Sequence, residues 1–142
     1  MKRFTYKKVI EDMSRAAVRR QQAAVLKAPL PAIELLDCIP ADAGEVTYAT
    51  SELTALCPMT GLPDFYTLTV TYTPGRTLPE LKSLKQYLTA YRDLPILHEH
   101  LAGRVFDDFK RAVRPRALRV TLAAAIRGGI AATVVRESGR KR

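Results

Sequence analysis

The chain has 142 residues, 47% apolar and 26% charged, with two cysteines and no tryptophan. That is one ordinary domain able to bury its own core; its longest apolar stretch, Leu118 to Ile126, is broken by Arg119 and is far too short to span a bilayer. The formal charge of +9 belongs to the two ends, since residues 1–27 carry eight basic and two acidic side chains, residues 136–142 four and one, and the positions between them eleven of each sign.

The N-terminus shows no signal-type apolar run before a cleavage site, so the expectation is a cytoplasmic protein without a membrane partner. Cys38 and Cys57 form no C-x-x-C pair, and no Cys/His spacing suits structural zinc, so neither a disulfide framework nor a metal site is expected. Three regions follow from charge and pattern: a basic extension over 1–30, a single domain over 31–136 and a basic tail over 137–142.

Residues 4–26 read as an amphipathic helix with Val9, Met13, Ala16, Ala17 and Ala24 on a weak apolar stripe, ended by Pro29 and Pro31. Ala32 to Ile39 and Glu45 to Glu52 read as strands joined as a hairpin across Pro40 to Gly44. From Phe65 to Thr73, Tyr66, Leu68, Val70 and Tyr72 alternate with threonines, the period of a strand with one buried face. The period then changes: Leu81, Leu84, Leu88 and Tyr91 place a helix over Pro79 to Asp93 with proline at its first position. A second helix opens after Pro95, with Leu97, Leu101, Val105, Phe109 and Val113 on its stripe. Two final strands, Ala117 to Ala125 and Gly129 to Val135, turn at Arg127-Gly128-Gly129. The predicted order is β-β-β-α-α-β-β, an α+β domain with two helices on one face of an antiparallel sheet. Joining such sheets between identical subunits would remove the open edges, which makes a ring-forming oligomer reasonable.

Three stretches could carry chemistry. Cys57 and Asp64 share a short loop stiffened by Pro58, Gly61 and Pro63. A thiolate there could attack an electron-poor carbon while the acid protonates the atom that becomes negative, although a free cysteine is more often a small buried apolar residue. Glu80-Leu-Lys-Ser-Leu-Lys-Gln-Tyr87 opens a helix, where Lys82, Ser83 and Lys85 suit a phosphorylated ligand or, equally, form a solvated face. In His98-Glu99-His100, Glu99 could accept two hydrogen bonds from the edge of a guanine-like heterocycle and His98 could add a donor or stack. The two histidines, two positions apart on a helix, point away from each other and do not suit one metal.

Taken together these stretches resemble the short, single-module form of 7-cyano-7-deazaguanine reductase (QueF), the NADPH-dependent nitrile reductase of queuosine biosynthesis, a tRNA modification. The resemblance runs from about Leu36 to Val135. It rests on Leu56-Cys57-Pro58, Thr60-Gly61, Pro63-Asp64-Phe65, Glu80-Leu-Lys-Ser-Leu-Lys85 with Tyr87, His98-Glu99 and Arg127-Gly-Gly-Ile130; Gln86 stands where the signature usually has Leu or Tyr. It implies a tunnelling fold whose subunits assemble into barrels with active sites between them. It also implies that Cys57 adds to the nitrile carbon to give a covalent thioimide, that Asp64 protonates the nitrogen, and that hydride from NADPH arrives twice. Substrate contacts would fall to Pro79, Glu80, Leu81, His98 and Glu99; Lys82, Ser83, Lys85 and Arg127 would serve the cofactor, and nucleic acid is not required.

Other readings are the amidine-forming relative, which uses the same Cys/Asp pair with ammonia and generally lacks the lysine-containing signature, and a non-catalytic basic RNA-interacting module. The zinc-dependent cyclohydrolase type of the same superfamily expects a Cys/His metal set that this chain does not supply.

Overall fold

Alternation along one strand organises the molecule. In the computed structural model, which describes residues 14–39 and 44–139, strand β3 (Pro63–Thr73) buries Asp64, Tyr66, Leu68, Val70 and Tyr72 and turns Phe65 and Thr67 outward. Its neighbours are β2 (Val46–Leu56) and β5 (Ala117–Arg127), and β5 pairs in turn with β6 (Ile130–Ser138), giving an antiparallel sheet in the order β2-β3-β5-β6. Leu118, Val120 and Leu122 of β5 bury on the same face. Two helices pack there: α2 (Leu81–Thr89), continued by a 3-10 turn over Ala90–Asp93, and α3 (His98–Val113). The predicted α+β class with an antiparallel sheet is what the chain adopts.

The α3 stripe follows the every-fourth-residue spacing read from sequence: Leu101, Val105, Phe109 and Val113 are buried, while Leu97 is the half-buried residue that precedes the helix. Removing a side chain such as Phe109 from water stabilises the fold by about 1.5 to 3 kcal/mol. The helix begins at His98, three residues after Pro95, because Pro95 forms an isolated parallel bridge with Leu56 instead of a helical turn. Likewise α2 does not start on Pro79. Glu80 is its cap, accepting from the N–H groups of Lys82 (2.7 Å) and Ser83 (2.8 Å), so the helix starts one residue later.

Two further expectations are corrected. The predicted hairpin between Ala32–Ile39 and Glu45–Glu52 does not form. Strand β1 (Leu35–Asp37) instead pairs with β4 (Thr77–Pro79), a strand the sequence reading lacked, and β2 takes β3 as its partner. The physical reason is cross-strand fit: β2 and β3 match Tyr48 to Tyr72 through their hydroxyls (3.0 Å) and Thr47 to Thr71 (3.1 Å), whereas all three β1 residues are exposed and offer no buried face. Residues 40–43 of the expected turn lie outside the described residues. At the N-terminus, α1 (Arg15–Val25) buries Gln22 and Val25 rather than the alanine stripe, so this segment packs on the same core; Val9 and Met13 fall outside the described residues. Ala16 and Ala24 are exposed because the helix contacts the core along Gln22 and Val25.

Candidate active site

Cys57 follows directly on the end of β2, half-buried. Its N–H donates to Leu62 O (2.8 Å) and its carbonyl accepts from Gly61 N–H (2.8 Å), closing a tight loop in which Gly61 adopts φ +70, a conformation glycine tolerates without strain. The register then fixes the acid: Ala55 faces Asp64 and Leu56 faces Pro63, so the Cys57 thiol and the Asp64 carboxyl belong to the same end of the β2–β3 ladder. Asp64 is buried, with only 7% of its side chain exposed, and forms an ion pair with Arg127, which also reaches Thr60 Oγ1 (3.4 Å). Arg127 thus stands on the Asp64 carboxylate within one chain.

The end of β2 also carries the second half of the cluster. Leu56 N–H donates to Leu94 O (3.0 Å) and Leu56 O accepts from Ile96 N–H (3.2 Å), which straps the segment before α3 alongside Cys57. Across this strap His98 reaches Tyr66: their Nδ1 and hydroxyl stand 2.7 Å apart, and the rings meet edge to face at 5.4 Å. Tyr66 escaped the sequence reading, which used it only as a core position of the strand. Its phenol is pushed well above the ordinary tyrosine range by burial first, then by the negative charges of Asp64, Cys57 and Glu99, with Arg127 opposing. The hydroxyl therefore keeps its hydrogen at neutral pH. Glu99 is exposed on the first turn of α3.

The signature stretch lies elsewhere. Pro79 is buried at the end of β4, Leu81 is 55% exposed, and the Glu80 carboxylate is held below the ordinary range by the N–H groups of Lys82 and Ser83. That carboxylate fills the helix-start donors that the sequence reading offered to phosphate, leaving Lys82 and Lys85 as the exposed cationic groups there. Ser83 is buried, donating to Glu80 O (2.7 Å) and accepting from Glu34 N–H (2.8 Å). Lys85 pairs with Glu52 at the rim of a cavity of about 130 Å³ floored by Leu53, Leu84 and Leu88. Glu80 starts α2 and Leu94, on the strap beside Cys57, follows its end. Along the chain the two clusters are joined by that nine-residue helix, about 14 Å long at 1.5 Å per residue, and by the 3-10 turn that continues it.

Among the described residues no group of three or more His, Cys, Asp or Glu side chains could hold a metal ion, and no helix is long and apolar enough to cross a membrane. Residues 63–142 match the family model described as QueF-like protein. A curated relative, the NADPH-dependent 7-cyano-7-deazaguanine reductase of Caldicellulosiruptor bescii, is 44% identical over 106 residues, covering 72% of this chain and 81% of the relative. The protein of that name from Chlorobium phaeovibrioides is 49% identical over 83 residues, 58% of this chain and 72% of its own length. Among solved structures, the crystal structure of the archaeosine synthase QueF-Like in the apo form superposes with a TM-score of 0.60 at 26% identity, over 82% of this chain and all of that one. The order of motifs, the antiparallel α+β architecture and these likenesses agree, and the chain belongs to the QueF-like family.

Proposed function

We propose that this protein reduces the nitrile of 7-cyano-7-deazaguanine to the 7-aminomethyl product with NADPH, in the biosynthesis of a modified tRNA base. The observation that carries this reading is the 44% identity over 106 residues to a reductase of that name. The gathering of Cys57, Asp64, Tyr66 and His98 at one end of the sheet gives it a chemistry.

The Cys57 thiolate would form a C–S bond to the nitrile carbon as an electron pair of the C≡N bond moves to nitrogen, which takes a proton from Asp64 and leaves a thioimide. Asp64 must carry that proton, so Arg127 turns off the carboxylate when the substrate enters. Two molecules of NADPH, bound in turn, would each supply one hydride, and two hydrides with two protons balance conversion of the nitrile to an aminomethyl group. After the first addition the C–S bond breaks and Cys57 leaves as thiolate. His98 and Glu99 would grip the heterocycle, with Pro79, Glu80 and Leu81 shaping its other side. Lys82 and Lys85 fit the cofactor's phosphates in charge, Lys85 exchanging Glu52 for them, while Ser83 holds the helix start in place.

Within one chain, α2 and its 3-10 continuation lie between the two residue clusters. This supports a tunnelling-fold barrel in which a neighbouring subunit brings Glu80 and its lysines to Cys57. Phe65, Ile126 and Ile130, 58%, 73% and 72% exposed, supply apolar surface for such an assembly. We place the reaction in the cytoplasm, where NADPH and tRNA are available.

The test is to mix the purified protein with 7-cyano-7-deazaguanine and follow NADPH oxidation, with Cys57→Ala alongside. Nitrile-dependent oxidation that the variant lacks is the expected result. A covalent adduct without NADPH consumption would instead favour the amidine-forming chemistry suggested by the archaeosine synthase neighbour, and absence of any adduct would sink both.

A further inference from the structure

Gln22 is 2% exposed, yet it lies in the N-terminal helix, ahead of the residues matched by the family model. Both ends of its amide are used. Nε2 donates to Pro95 O (2.9 Å), and Oε1 accepts from Leu97 N–H (2.9 Å) and from His100 Nδ1 (2.9 Å). A carbonyl can only accept and a backbone N–H can only donate, so these partners fix which way the amide points. It follows that His100 Nδ1 carries a hydrogen.

These contacts fall on the segment that joins the two halves of the site. Leu94 and Ile96 are hydrogen-bonded to Leu56, next to Cys57, and Leu97 is the last residue before His98 and Glu99, with no side-chain cap of its own. Gln22 clamps the outer side of the strap at Pro95 and Leu97, while the end of β2 holds its inner side. Arg104 fastens α1 itself, donating to Val25 O (2.8 Å) and to Ala28 O.

We infer that Gln22 is a positioning residue for substrate recognition: through Pro95, Leu97 and His100 it sets where His98 and Glu99 stand relative to the Cys57 thiol, making the N-terminal helix part of the heterocycle-binding apparatus. This rests on the reductase reading. The clamp acts on the ring-binding edge and leaves the lysine cluster on α2 untouched.

The experiment uses the full chain with Gln22→Met, which keeps the volume and removes every polar contact, and Gln22→Glu, which keeps the acceptor for Leu97 and His100 but loses the donor to Pro95. With folding checked by circular dichroism, Gln22→Met should raise KM for 7-cyano-7-deazaguanine about tenfold or more, as expected for losing buried hydrogen bonds. KM for NADPH should stay within about twofold, and the slowly exchanging Nδ1–H resonance of His100 should disappear. Gln22→Glu should fall between the variant and the native chain on both measures, and it reads the same KM split if Gln22→Met does not fold. An unchanged nitrile KM, or equal shifts in both KM values, would reduce Gln22 to packing and overturn the inference. A native chain that does not consume NADPH with the nitrile defeats the reductase reading instead, and absence of the His100 resonance from that chain would defeat the clamp independently.

Discussion

At the scale of single residues the site is a matter of what each polar atom is already doing. Cys57, Asp64 and His98 were legible because they fall in spaced motifs whose residue types suit nucleophile, acid and ring donor. Tyr66 was not, because the alternation that made it a core residue of β3 also hid its hydroxyl. The phenol meets His98 Nδ1 at 2.7 Å, and its raised pKa keeps it able to donate. Donating there, it would place the hydrogen of a neutral His98 ring on Nε2. Tyr66→Phe retains the edge-to-face ring contact and removes only the hydrogen bond. We expect kcat/KM for the nitrile to fall about tenfold, with KM for NADPH unchanged and folding intact; steady-state kinetics with each substrate varied checks both parts.

At the scale of elements, the ends of the helices depart most from the sequence reading. Periodicity located α2 and α3 well, since it reports which face is buried, but the first residue of α2 depends on the Glu80 cap and that of α3 on the Pro95–Leu56 bridge ahead of it. The Glu80 cap has a pH signature. Its folded pKa lies below the ordinary value of 4.5, so its contribution to stability is complete above that value and is lost as pH falls through the folded pKa. Glu80→Gln should therefore lower Tm near neutrality, and the gap between variant and native chain should close on acidification; thermal melts across the acid range measure it. A gap that persists at the lowest pH would mean the carboxylate charge contributes nothing at this cap. The hairpin expectation failed for a related reason: a good turn sequence between two short strands does not outweigh the side-chain match of β2 to β3.

At the scale of the whole molecule, Tyr66, Tyr72, Tyr87 and Tyr91 all have phenols raised from the ordinary value of 10.0, with burial the largest cause in each. A raised folded pKa contributes stability that is fully present below 10.0 and lost as pH rises through the folded value. These four should ionise together with alkaline unfolding, which an absorbance titration run beside circular dichroism would show; ionisation well before unfolding would contradict their burial. Assembly is tested by Phe65→Asp, which should shrink the particle in sedimentation and abolish nitrile reduction while leaving the subunit fold intact. The sequence by itself determined the α+β class, the faces of β3 and α3, and the residues of the family motifs, because periodicity and residue chemistry are local properties of the chain. Only the tertiary structure decided that β1 joins β4, that Arg127 stands on Asp64, that Tyr66 belongs with His98 and that Gln22 holds the strap beside Cys57. Each of these joins groups distant in the chain, and such pairings are chosen by the fit of surfaces that exist only once the core has formed.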